Sequence, residues 1–359
     1  MASTLPYSSV TDLSATVRLQ RWLFTLALLL TTWIPMLFFI AVGSVAKPTG
    51  GLATVKAMLL YVGGVHVATT LLLYMDKTFA PLVSENKVRY VYLPLALVLA
   101  SGFVFSVGAP VVQVSTYLVF WAWQAHHYGR QNIGVYSFAA MAGGWRPHPL
   151  ERRALELAAA CGIGGTFKVL AKDLAPSVIH PLFDALYRLS AVAFLGVLAF
   201  SVYVYVKRRA DFSWSRSAFF FTLVCFFLPM FLSDNVDVAF FSYAIAHGAQ
   251  YLAFMAVISL DLGARDGRRG VSWRMVGVAA FLVSLGLIGY RAADVRAFAP
   301  IAGTPMLTHV IDFLAGIGLG TTIAHFVIDA GAWKLSQSSA KRYVTQRFGF
   351  LFEGASTRS

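Results

Sequence analysis

The chain has 359 residues, of which 58% are hydrophobic and only 13% are charged. Soluble domains carry about 25% charged residues, and a soluble fold could not bury this much apolar surface. The composition therefore excludes an ordinary soluble domain and indicates a protein of the lipid bilayer. The formal net charge is +13. Lysines and arginines gather in the cytoplasmic loops of membrane proteins, and no nucleic-acid-binding motif accompanies them, so nucleic acid is not an expected partner.

Repeated apolar runs of about twenty residues predict membrane-spanning helices. The weakest of these runs is 153–171, because it contains Glu156, Lys168 and a glycine-rich middle. It crosses the membrane in a ten-span topology and lies on the surface in a nine-span topology. The ten approximate spans are 22–45, 57–75, 90–109, 111–128, 153–171, 183–206, 217–233, 238–260, 274–291 and 306–330.

The distribution of basic residues favours ten spans. If the N-terminus is cytoplasmic and 153–171 crosses, the basic run 207–209 faces the cytoplasm and the loop with Asp234 and Asp237 faces outward. This arrangement obeys the positive-inside rule with both termini cytoplasmic. We therefore predict an all-α, polytopic membrane helix bundle with a single transmembrane domain at 1–335 and a basic cytoplasmic tail at 336–359. The expected location is a bacterial inner membrane.

The segment Phe120–Asn132 carries an unusual set of polar side chains at the end of the apolar run that begins near Val111. Adjacent helical residues point about 100° apart, so at most one of His126 and His127 faces a given site comfortably. His127 shares a face with Gln124 and Gln131, whereas His126 shares the neighbouring face with Arg130. His127 is therefore the favoured metal ligand of the two, although both are candidates.

Three other predicted spans each offer a histidine. His66 lies near the middle of the second span, and His247 has Gln250 three residues later on the same helical face. His325 is followed one turn later by Asp329, which is either a co-ligand or a group that orients the imidazole. Ionisable groups at membrane depth are candidates for functional sites. We expect His66, His127, His247 and His325 to converge on one site, provided that the ends of the predicted spans shift by about one helical turn.

A set of histidines from facing helices, with carboxylate and amide partners, is typical of a metal site in a helix bundle. Because neither Cys161 nor Cys225 belongs to a Cys-x-x-Cys pair, thiolate sites are not indicated. The ligand set suits non-haem iron first and copper or zinc next. The resulting hypothesis is a membrane oxygenase with a lipophilic substrate, such as an isoprenoid, a carotenoid or a fatty chain. An electron-donor protein is a further expected partner, and the assigned catalytic residues are Gln131, Gln250 and Tyr128.

Two other functions remain open from the sequence. The first is a transporter or channel, in which His309 and Asp312 join Asp234 and Asp237 in an outer vestibule of a proton or ion path. No internal repeat of the kind that many transporters carry is visible in the chain. The second is a redox protein with haems held between histidine pairs.

His309 and Asp312 lie near the outer end of their span and fit the histidine cluster poorly.

Overall fold

The computed structural model describes residues 14–42, 64–168, 177–233, 236–260, 276–278, 280–281 and 305–353. Most of these residues are helical, and this part of the chain contains no β-strand. The principal helices are α1 (Ala15–Val42), α2 (Gly64–Met75), α3 (Ala80–Glu85), α4 (Val88–Val107), α5 (Pro110–Gly143), α6 (Pro149–Gly165), α7 (His180–Lys207), α8 (Trp214–Leu232), α9 (Val236–Ser259), α10 (Pro305–Ala332) and α11 (Ser338–Arg347).

The helices have the character of a membrane-integral protein. Within the described residues, five are long and apolar enough to cross a bilayer: α1, α4, α7, α8 and α10. Helix α6, which corresponds to the weakest predicted span, has 17 residues and extends about 26 Å. That length is below the roughly 20 residues that a spanning helix requires. Most of the predicted span 274–291 lies outside the described residues, so ten spans remain a prediction.

Helix α5 differs from its prediction in length. The apolar run was expected to end near residue 128, but the helix continues to Gly143 and has 34 residues. The continuation is stabilised by burial, because Val135, Tyr136 and Phe138 are each at most 2% exposed. As a result, the histidines of the Phe120–Asn132 segment lie inside a long helix and not at its end.

By packing, the chain divides into two compact units. The first unit comprises the described residues of 1–59, 121–253 and 348–359. Phe24 of α1 packs against Phe138 of α5 and against Phe348, with ring centres 6.4 Å and 5.8 Å apart. One turn earlier, the buried Arg21 guanidinium donates to three main-chain carbonyls in the segment 350–353, at 2.8 to 3.1 Å. Part of the predicted basic tail is therefore folded into this unit.

The second unit comprises the described residues of 60–120 and 254–347. Its α4 and α10 helices pack closely at glycines, as membrane helices commonly do. A Cβ atom on Gly316 would lie only 2.4 Å from the carbonyl oxygen of Ser101. At the end of α11, Arg347 forms an ion pair with the buried Asp76, and its Nε lies 2.7 Å from Oδ2. This ion pair ties α11 to the turn that follows α2.

Candidate histidine sites in the two units

The first unit holds a buried pair of histidines. His127 on α5 and His247 on α9 have ring centres 4.8 Å apart, with the ring planes inclined at 77°. They are 5% and 1% exposed, respectively. The ring of Tyr128 lies 4.6 Å from that of His247, centre to centre. The pair therefore brings two imidazoles from different helices into direct contact beside a phenol.

A network of amides continues from this pair. Gln131 donates from Nε2 to the carbonyl oxygen of His247 at 3.0 Å and to Oε1 of Gln250 at 2.8 Å. Gln250 in turn donates to Thr32 at 3.0 Å and, over a longer 3.4 Å contact, to Asn132. Gln250, Thr32 and Asn132 are at most 3% exposed. A buried polar network of this kind specifies one arrangement of its helices when its members are hydrogen-bonded.

Helical geometry separates the two adjacent histidines of α5. His127 is buried, whereas His126 is exposed, in line with the roughly 100° between neighbouring residues. Gln124, one turn before Tyr128, donates to the phenol oxygen of Tyr128. Gln124, His127, Tyr128 and Gln131 thus form a polar stripe along the inner face of α5. His126 lies outside this stripe.

The second unit holds another buried pair. His66 on α2 and His325 on α10 have ring centres 4.9 Å apart, inclined at 80°. Both are at most 5% exposed. Nδ1 of His325 lies 2.7 Å from the hydroxyl oxygen of Thr70. Metal binding at Nε2 of His325 requires the tautomer in which Nδ1–H donates to Thr70, and such a bond is the usual support for a histidine ligand.

Asp329 follows His325 by one helical turn and is 4% exposed. Its Oδ1 accepts a hydrogen bond from the indole N–H of Trp333. A buried carboxylate one turn from a histidine can bind an ion directly or orient the imidazole. This arrangement suits either of the roles that the sequence predicts for Asp329.

The spacing within each histidine pair is compatible with a shared metal ion. With metal–nitrogen distances of about 2.0–2.1 Å, two imidazoles on one ion have ring centres roughly 4.5–5.2 Å apart at ligand angles of about 90–109°. The observed 4.8 Å and 4.9 Å lie in this range. A haem iron between two rings needs a separation of roughly 6.4 Å by the same distances. Each pair is therefore too close to hold a haem between its two rings.

The remaining sequence candidates have different surroundings. His309 is exposed, and its Nδ1 donates to the carbonyl oxygen of Ser106 at 2.6 Å. Asp312 is half-buried on the same helix. Asp234 lies outside the described residues. The structure thus supplies a local role for His309 as a hydrogen-bonding partner of α4, the helix that carries Ser106.

Sequence reasoning missed several members of the two sites. Thr70 and Trp333 each lie four residues after a candidate ligand, namely His66 and Asp329, so the i, i+4 rule would have found them on the correct faces. Thr32 had no such signal, because it lies in an apolar run far from the histidines in sequence. The convergence of both pairs on one centre stays a prediction.

In the comparisons with known proteins, no family model, curated protein or solved structure matches the chain.

Proposed function

We propose that the protein is an integral-membrane metalloenzyme, a histidine-ligated non-haem iron oxygenase that acts on a lipophilic substrate. The observation that carries the proposal is the presence of two buried histidine pairs whose ring separations, 4.8 Å and 4.9 Å, suit a shared ion. Histidines with a carboxylate and without thiolates favour iron over softer metals. In this proposal the chain spans the bacterial inner membrane ten times, with both termini in the cytoplasm.

The metal would supply dioxygen activation. Inserting one oxygen atom of O₂ into a C–H bond, with the other leaving as water, consumes two electrons and two protons, so the proposal includes an electron-donor protein. The chain's own residues have positioning tasks. Thr70 holds the imidazole of His325. Gln131 donates to the main-chain carbonyl of His247 and to Gln250, and in this proposal the two amides orient the substrate. Tyr128, against the ring of His247, is the candidate proton donor.

The test is metal analysis of the protein purified in detergent. We expect stoichiometric iron that is lost in the variants His66→Ala and His247→Ala. His309→Ala is the matched control, because it removes an exposed histidine that belongs to neither pair. Folded but metal-free protein, or metal that survives both pair variants, would overturn the proposal. If both variants lose the same single ion, the two histidine pairs form one metal centre. If each variant loses a different ion, the two pairs are separate metal centres.

A second measurement separates the roles of His325 and Asp329. If Asp329 orients the imidazole, Asp329→Asn weakens iron retention less than His325→Ala, because the asparagine keeps an oxygen that accepts from Trp333. The measurement is the rate of iron loss to a chelator. Equal rates in the two variants would make Asp329 a direct ligand instead.

A further inference from the structure

The first unit contains a groove of about 480 Å³ between α6 and α7. This volume lies within the range of ligand pockets, roughly 300–1,000 Å³. Most of the lining side chains are apolar, among them Leu157 and Ala160 of α6 and Ala193, Val197 and Phe200 of α7. Leu157, Ala160 and Ala193 are exposed, so the groove opens to the surface of the protein. An apolar groove between apolar helices is suited to a hydrocarbon chain.

Helices α6 and α7 run antiparallel along this groove. Near the end of α6, Gly164 packs so closely on α7 that a Cβ atom on it would lie 2.7 Å from Cβ of Ser190. At the start of α6, Glu151 pairs with Arg216. Arg216 also donates to the main-chain carbonyl of Asp211, four residues after α7 ends. The start of α6 and the end of α7 therefore lie together at one end of the groove.

Basic side chains continue both walls of the groove at that end. Arg153 precedes Leu157 by one helical turn, so it lies on the groove-lining face of α6. Lys207 follows Phe200 by two turns and lies on the groove-lining face of α7. Both basic side chains are exposed. The Nζ atom of Lys207 donates to the hydroxyl of Tyr203 at 3.1 Å, and tyrosines of this kind are common at the level of the lipid headgroups.

The positive charge at this end exceeds the negative charge beside it. Glu156 lies 3.1 Å from Arg152 and 3.6 Å from Arg153, so its single charge balances only one of the two arginines. Within the described residues, Lys207 forms no ion pair. The apolar stretch of α7 ends at Lys207, so these cations lie where the hydrocarbon layer would end.

We propose that the groove between α6 and α7 binds an anionic phospholipid of the surrounding bilayer. An acyl chain lies along the apolar groove, and the phosphate group lies between Arg153 and Lys207. A neutral lipid fits the groove but not the charge, and a water-soluble anion fits the charge but not the groove. None of these residues belongs to a histidine pair, so the inference does not depend on the proposed function.

The experiment measures lipid binding by native mass spectrometry of the full-length protein released from a mild detergent. The probes are dioleoylphosphatidylglycerol, which is anionic, and dioleoylphosphatidylcholine, which has the same chains and no net charge. We expect the anionic lipid to bind at least about fivefold more tightly, because one basic residue near a membrane surface contributes about that factor. Equal affinities would overturn the inference. A dimer that excludes lipid would assign the groove to a second copy of the chain and would overturn it as well.

Three charge variants locate the headgroup. Arg153→Gln and Lys207→Gln should each reduce the preference for the anionic lipid about fivefold. Glu156→Gln removes the neighbouring carboxylate and should increase the preference. Arg188→Gln, an exposed change near the opposite end of the groove, is the control and should leave it unchanged. All four positions are at least partly exposed, so the variants should fold. A preference that survives in both Arg153→Gln and Lys207→Gln would overturn the inference.

A fourth variant tests the groove itself. Gly196 lines it, and a Cβ atom there would meet nothing within 4 Å. Gly196→Leu should therefore fill the groove without disturbing α7 and should weaken the binding of both lipids several-fold. Gly318→Leu is the matched control, because Gly318 is an exposed helical glycine with equally open space in the second unit. Unchanged lipid binding in Gly196→Leu would show that the chain does not lie in the groove. If this variant does not fold, the charge variants still decide.

Discussion

The buried ion pair of the first unit gives the sharpest test of the packing. Glu151 at the start of α6 is fully buried and accepts from Nη2 of Arg216 at 2.5 Å and from its Nε at 3.3 Å. The Tyr136 hydroxyl donates to the same carboxylate at 2.5 Å. Arg216 also donates to two main-chain carbonyls, at 3.0 Å and 3.2 Å. The substitution Glu151→Gln keeps the shape of the side chain and removes its charge.

The expected loss of stability is large because the arginine stays buried when its counter-ion is gone. Removing one partner of a buried pair costs about 3–5 kcal/mol. Since glutamine can still accept from Tyr136, we expect a loss near 3 kcal/mol, toward the lower end of that range. Helix α6 supplies the matched control. Glu156 pairs with Arg152 at 3.1 Å, but their side chains are 33% and 57% exposed, so Glu156→Gln should cost less than about 1 kcal/mol.

The assay is reversible unfolding in mixed micelles at increasing mole fractions of dodecyl sulfate, followed by circular dichroism. The two variants change the same residue type on the same helix, so they differ chiefly in burial. Equal free energies of unfolding in Glu151→Gln and Glu156→Gln would refute the reasoning. A loss confined to Glu156→Gln would show that the surface pair, and not the buried one, holds α6 in place.

Two further predictions use neighbouring positions as controls. His127→Ala should lower iron content at least several-fold more than His126→Ala, because only His127 is buried against another histidine. Metal analysis of the two purified variants tests this prediction. A larger loss of iron in His126→Ala would show that the wrong face of α5 was chosen. Gly316→Ala should destabilise the second unit by about 1–3 kcal/mol, because the new methyl group would meet the backbone of α4. A Cβ atom at Gly318 would meet nothing within 4 Å, so Gly318→Ala should be neutral or slightly stabilising. The same micelle titration compares the stabilities of the two variants. Equal stabilities would contradict close packing at Gly316.

Part of the candidate sites could be predicted from local periodicity. The i, i+3 and i, i+4 relations place Gln250 with His247 and Asp329 with His325, and the 100° step distinguishes His127 from His126. Each of these relations depends only on the geometry of one helix. The membrane character of the chain follows in the same way, from the length and apolarity of single segments.

The sequence by itself determined the helical, membrane-integral class and the faces on which the polar residues lie. Only the tertiary structure decided which of those residues meet. Thr32 joins Gln250 from 218 positions away, and Arg216 meets Glu151 from 65 positions away. The physical reason is that a face specifies a direction, while a contact depends on helix packing, which is set by side-chain shapes along both partners. The sequence therefore indicated the buried face of α5, and packing supplied its partners.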